Sequence, residues 1–213
     1  MAIAEKTDSV AVVLPANIVR GVFRIRGTAP FVQHRFWKKQ DLMDSMATAK
    51  VDKKTKANKP PRDYAQEFID AQHVSTAGWN GIPCAAFRSA MIDACRTVGL
   101  VMTKAKMSVF VLPDGFDIHD GTPLSRIISA NPPELFTAAV RNDNGGADVR
   151  VRPMWREWDV DVTCEWDADM ISASSVVNLL DRAGRQVGVG EGRPYSKTSV
   201  GQGWGTFTIV TEQ

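Results

Sequence analysis

The sequence lacks any apolar run long enough to cross a bilayer, which takes about 20 residues. Its start, MAIAEKTDSV, has neither the basic nor the apolar region of a secretory signal. A cytoplasmic protein without a membrane partner is therefore expected. Cysteine is scarce: Cys84, Cys95 and Cys164 are an odd number without metal-ligand spacing. Cys84 and Cys95 lie in and near an apolar helical pattern, so buried free thiols and no metal are expected. An excess of charge is also missing, with 26 Lys and Arg against 24 Asp and Glu. Net charge therefore says nothing about a nucleic-acid partner, and only the placement of charges can. No Walker loop, zinc spacing, nucleophile elbow or dinucleotide fingerprint is present, so no cofactor is expected. What remains is a chain of 213 residues, 44% hydrophobic, long enough to bury a core as a single domain over residues 1–213.

Glycine is abundant in one place. From Val187 to Val210 the chain reads VGVGEGRPYSKTSVGQGWGTFTIV, with Gly188, Gly190 and Gly192 before Arg193 and Pro194, and Gly201, Gly203 and Gly205 after them. Glycine at this density marks backbone that needs positive φ, or backbone that something approaches closely. A phosphate backbone held by Gly190, Gly192, Arg193, Lys197 and Gly203 is one reading, and a glycine-rich hairpin without a ligand is the other. The run follows a predicted helix, with Ser172 as cap, Val176, Val177, Leu179, Leu180 and Ala183 at helical spacing, and Gly184 as its stop. GVGEG thus follows a helix pattern rather than a strand, unlike a dinucleotide loop. A strand is predicted over Thr206 to Val210.

Charge is unevenly placed. In Ile18 to Arg26, Val19, Gly21, Phe23 and Ile25 alternate with Arg20, Arg24 and Arg26, which gives a strand with one core face and one basic face. Val149 and Val151 alternate likewise with Arg150 and Arg152. Trp158, Val160, Val162, Cys164 and Trp166 alternate with Asp159, Asp161, Thr163 and Glu165, an acidic face. The basic face of Arg20, Arg24 and Arg26 either meets nucleic acid or pairs with the acidic face inside one sheet.

Residues 34–78 have another character. Their centre, KVDKKTKANKPPRDY, holds Lys50, Lys53, Lys54, Lys56, Lys59 and Arg62 with almost nothing apolar, and cannot build a core. A solvated loop is the plain expectation. Its selective basicity makes phosphate the matching partner, through counterion release. Phe36, Trp37, Tyr64 and Phe68 flank it, either to stack on bases or to anchor the loop.

After Trp79 comes NGIPCAAFRSAMIDACRTVG. Pro83 suits a first helical turn, Phe87, Met91, Ile92 and Cys95 form an apolar stripe, and Gly99 ends the helix. Arg88 and Arg96 lie off the stripe.

The phrase GIPCAAFRSAMIDACR resembles the helix-start motif of the CRISPR-associated RAMP superfamily, especially its backbone subunits that line a CRISPR RNA. The opening strand followed by Gly27, Thr28, Ala29 and Pro30 is similar to that family's first strand and Thr-Pro turn, and Gly188 to Gly205 resembles its C-terminal glycine-rich loop. The three occur in the family's order across most of the chain. Ala85 and Ala86 stand where the family usually has serines, and Cys84 where it has glycine.

The resemblance implies an α+β fold: a ferredoxin-like, RRM-like antiparallel sheet with two main helices, a basic thumb inserted at about residues 34–78, and the glycine-rich loop. It implies single-stranded RNA or DNA as partner, with RNA preferred, and repeated subunits along the strand. Other effector subunits of an antiviral complex are implied as well, or a phage or mobile-element relative that coats strands by itself. Arg88 matches the helix-start basic residue, and Arg193 the loop. Some members of the superfamily cleave RNA, with a His or an Asp. His34, His73 and His119 are well separated and none has a titratable partner at motif spacing; His34, directly after the turn, is the candidate here, with Asp41 and Asp44 as acidic alternatives. A binding protein is the first expectation, a metal-independent endoribonuclease the second, and a protein-only structural subunit the third.

Overall fold

The structure, a computed structural model, describes residues 14–35, 62–141, 147–196 and 201–211. In chain order its elements are β1 (Ile18–Gly27), β2 (Phe31–Val32), α1 (Tyr64–Asp70), β3 (Gly81–Pro83), α2 (Cys84–Val98), α3 (Met102–Ser108), β4 (Val109–Leu112), β5 (Gly115–Phe116), β6 (Pro123–Ile128), β7 (Glu134–Arg141), β8 (Ala147–Trp155), β9 (Asp159–Asp167), α4 (Ala173–Arg182) and β10 (Phe207–Ile209). This is a mixed α+β fold with antiparallel sheets. Where the sequence predicts two main helices, the described residues hold four, and the two longest, α2 and α4, are the expected pair.

The two alternating strands form the centre of the larger sheet. β1 pairs antiparallel with β9 along nearly its whole length, from Ile18 opposite Asp167 to Arg26 opposite Asp159. That register puts Phe23 opposite Val162 and Ile25 opposite Val160 on the inner face, where Ile25, Val160 and Val162 are fully buried. The other edge of β9 is shared by β4, with Val109 opposite Trp166, and β6, with Ile127 opposite Val160. β10 joins the far end of β1, Ile25 opposite Ile209. The strand order therefore runs β10-β1-β9, then β4 and β6, with β3 beyond β6.

Helices α2 and α4 cover the inner face. Phe87, Ala90, Met91, Ala94 and Cys95 of α2, and Val176, Leu179 and Leu180 of α4, join one core with the inner strand residues. Phe87 meets Phe207 edge-on at 5.8 Å between ring centroids, and Trp158 meets Phe207 at 6.1 Å. All three cysteines are buried free thiols, and burial pushes the Cys164 thiol up to about 12. Gly99 ends α2 at φ 67°, as its position predicts.

Gly184 does not end α4. The chain passes from Arg182 into a π-helical turn, Ala183–Val187, and is released at Gly188, with φ 71°. Gly184 is instead a packing residue: a Cβ there would stand 2.5 Å from the Phe207 ring and collide with the Phe207 carbonyl. A smaller second sheet, ordered β2-β8-β7, stands beside the first. In it Val151 and Arg152 are both buried, so the Val149 to Arg152 alternation does not divide into an apolar and a solvent face.

Candidate functional site

On the outer face of the larger sheet the β1 arginines stand opposite the carboxylates of β9. The Arg20 guanidinium lies 2.7 Å from Glu165, Arg24 spans Asp159 at 3.1 Å and Asp161 at 3.2 Å, and Arg26 lies 3.2 Å from Asp159. Hydrogen bonds to Asp159 hold the Arg26 guanidinium above its ordinary range. The acidic strand and the basic strand thus neutralise each other across the β1–β9 ladder.

Two further predicted contacts are also engaged within the chain. Arg88 donates to the carbonyls of Val109, at 2.9 Å, and Lys106, so it closes the C-terminal end of α3, and its guanidinium rests over the Phe110 ring. Arg62 binds Glu67 through two hydrogen bonds of 2.8 Å and stands over Tyr64. Lys50, Lys53, Lys54, Lys56, Lys59 and Lys197 lie outside the described residues, as do Phe36, Trp37, Asp41 and Asp44.

The glycine loop has the backbone its composition predicts: Gly188, Gly190, Gly192, Gly201, Gly203 and Gly205 all have φ between 66° and 81°. Most of the close approach is by the chain itself. A Cβ on Gly190 would stand 2.5 Å from the Val32 carbonyl, one on Gly192 would stand 2.5 Å from the Trp204 indole, and one on Gly201 or Gly205 would overlap the carbonyl of Arg193 or Val189. Glu191 donates its N–H to Val32 at 2.9 Å, and Gly205 donates to Pro30 at 2.8 Å, so the loop is laced to the segment after the Thr-Pro turn. Gly203 alone of the six has open space, with no atom within 4 Å of where a Cβ would stand.

Where this loop meets β2 and the start of α2, a cavity of about 340 Å³ opens to solvent. The segment after the turn contributes Phe31, Gln33 and His34. The helix start contributes Ile82, Pro83 and Ala86, and the loop contributes Gly190, Glu191 and Arg193, with His73 completing the wall. Gln33 ties the pieces together: its Nε2 donates to the Gly81 carbonyl at 2.7 Å and its Oε1 accepts from the His73 backbone N–H at 2.8 Å.

Around the cavity, charge is arranged rather than accumulated. Glu191 accepts from the buried Arg152 guanidinium and lies 3.8 Å from His34 Nδ1. Burial, reinforced by the positive charge of Arg152 and Arg150 and opposed by Glu191, lowers the His34 pKa to about 4. His34 is therefore a neutral imidazole at pH 7, able to take part in proton transfer but not to clamp phosphate as a cation. Arg193 donates to the Gly190 carbonyl at 3.2 Å, which holds its guanidinium beside the cavity.

His73 has the partner that spacing does not reveal. Its Nδ1 stands 2.7 Å from Oδ2 of Asp117, a carboxylate with a fully buried side chain. The other Asp117 oxygen accepts from the His119 backbone N–H at 2.8 Å, and Arg35 Nε approaches Oδ2 at 3.6 Å. Arg35 itself is buried, and its Nε has no hydrogen-bond partner. The sequence singles out none of Gln33, Arg35, Asp117 and Glu191, since each draws its role from a partner distant along the chain.

Among the described residues no group of three or more His, Cys, Asp or Glu side chains is placed to hold a metal ion, and no helix is long and apolar enough to cross a membrane. No protein-family model and no curated protein matches the chain.

Proposed function

We propose that this protein binds single-stranded nucleic acid, RNA in preference to DNA, along a track that crosses the cleft between β2, the start of α2 and the glycine loop. The observation that carries this reading is convergence. Three segments far apart in sequence, the residues after the Thr-Pro turn, the Ile-Pro helix start and the glycine loop, border one cavity with Arg193 beside it.

Strand order supports the same reading. Taking β1, α2, β4, β9, α4 and β10 as a β-α-β-β-α-β unit, the order β10-β1-β9-β4 with every neighbour antiparallel is that of a ferredoxin-like sheet. In the reading proposed here the chain is a relative of the RAMP backbone subunits, working in the cytoplasm as repeated subunits along a strand. An RRM-type site on the open sheet face has little to recommend it here, because the ion pairs of Arg20, Arg24 and Arg26 already satisfy that face. The strand runs over the cleft instead, where the glycine loop brings backbone and a guanidinium together.

The test is whether nucleic acid copurifies with the protein, read from the absorbance ratio and identified by digestion with RNase or DNase. RNase-sensitive material is expected. A preparation free of nucleic acid that also fails to bind added RNA leaves a protein-only structural subunit as the reading.

A second reading rests on a separate observation: His34 and His73 border the same cavity, and His73 is oriented by buried Asp117. A neutral imidazole beside an oriented one is the equipment of general acid–base chemistry on a ribose 2′-hydroxyl. Cleavage of end-labelled RNA in EDTA, lost in His73→Ala, supports a metal-independent endoribonuclease; intact RNA excludes it.

A further inference from the structure

We infer that the cavity beside Arg193 is a pocket that selects one unstacked nucleobase carrying an amino group. The inference rests on the proposed binding of single strands and adds what the site selects.

Several features separate a base from a phosphate here. Ile82, Pro83 and Ala86 line the cavity with apolar surface, and Glu191 adds a carboxylate, both unsuited to a phosphate group. A flat heterocycle suits both: its faces lie against apolar walls while its edge meets a few convergent polar groups. Those groups are in place. His73 is fixed through Nδ1 by Asp117, which leaves Nε2 as the ring nitrogen for a ligand. Glu191 is held by Arg152 and accepts hydrogen bonds, so it selects a base that donates from an amino group. Uracil and thymine have none.

Size agrees. Ligand clefts span roughly 300–1,000 Å³, and a cavity of about 340 Å³ sits at the end of that range suited to one nucleoside. Arg193 lines the same cavity from the glycine loop and is the cation available to the attached phosphate. Ala86 has a further meaning in this light. A serine at this position would put a hydroxyl on the cavity wall, whereas alanine leaves it apolar and roomy.

The experiment uses a strand of adenylates with a single 2-aminopurine, whose fluorescence is quenched by stacking, and reads anisotropy and fluorescence on the same sample. Wild-type protein is expected to bind and to raise the 2-aminopurine signal. It is expected to prefer oligoadenylate over oligouridylate about tenfold, the scale of a hydrogen bond to a charged group. Ala86→Trp, which fills the cavity, is expected to lose both the rise and the preference; Ala86→Met repeats the test with a smaller side chain if the tryptophan variant melts early. Binding with no rise, or an equal rise and preference in a folded Ala86 variant, overturns the base pocket and leaves strand binding intact. An absence of anisotropy change in wild type overturns both.

Discussion

Arg24 on β1 spans two carboxylates of β9, Asp159 at 3.1 Å and Asp161 at 3.2 Å, and so joins successive outward-facing positions of the neighbouring strand. The arginine is partly exposed, and exposed ion pairs contribute little. Replacing Arg24 by Ala is expected to lower stability by at most about 1 kcal/mol in urea denaturation and to leave RNA affinity unchanged. A large loss of affinity in a folded Arg24→Ala variant would place the strand on the sheet face after all.

The glycine loop separates two kinds of cost. Gly205→Ala and Gly192→Val are expected to lower the melting temperature clearly, because positive φ is compounded by collision with the Val189 carbonyl or the Trp204 indole. Gly203→Ala meets only the conformational cost of φ 80°, on the order of 1 kcal/mol, since no atom stands near the new Cβ. Thermal melts of the three variants check the order. Equal losses would mean that loop packing contributes nothing beyond backbone strain.

His34 sets a pH dependence with a definite sign. Its folded pKa, about 4, lies below the ordinary histidine value of 6.5, so between those limits the unfolded chain binds more protons than the folded one. Stability is then complete above pH 6.5 and falls as pH drops toward 4. Urea denaturation at pH 7 and pH 4.5 should show a smaller acid loss for His34→Gln than for wild type. An identical loss in both would show that other groups dominate the acid limb.

Alternation along β1 and β9 is legible in the sequence because period-2 patterning reports which face a residue takes. It does not report what that face meets, which is why Arg20, Arg24 and Arg26 fit nucleic acid and Asp159, Asp161 and Glu165 equally well until the register pairs them. Positive φ in the glycine loop is legible too, but the partner is not: Gly190 is required by the Val32 carbonyl, a residue far back in the chain. Gly184 looks like a helix stop and is a contact with Phe207, because a glycine's lack of Cβ serves either use. His73 and Asp117 are 44 residues apart, and no local spacing joins them.

Assembly along a strand has its own signature. Head-to-tail association is open-ended, so particle mass by light scattering is expected to rise in steps as the RNA is lengthened. One fixed stoichiometry on short and long RNA would contradict repeated subunits.

The cleft as the nucleic-acid track is tested most directly by fluorescence anisotropy of labelled single-stranded RNA across a salt series, comparing wild type with Arg193→Ala. Wild type is expected to bind unrelated sequences of matched amino-base content alike, with affinity falling as salt rises. The variant is expected to remain folded, bind more weakly on every sequence, and show a log–log salt slope shallower by about 1. A folded Arg193→Ala protein with the affinity and slope of wild type would contradict the placement of the strand at this cleft.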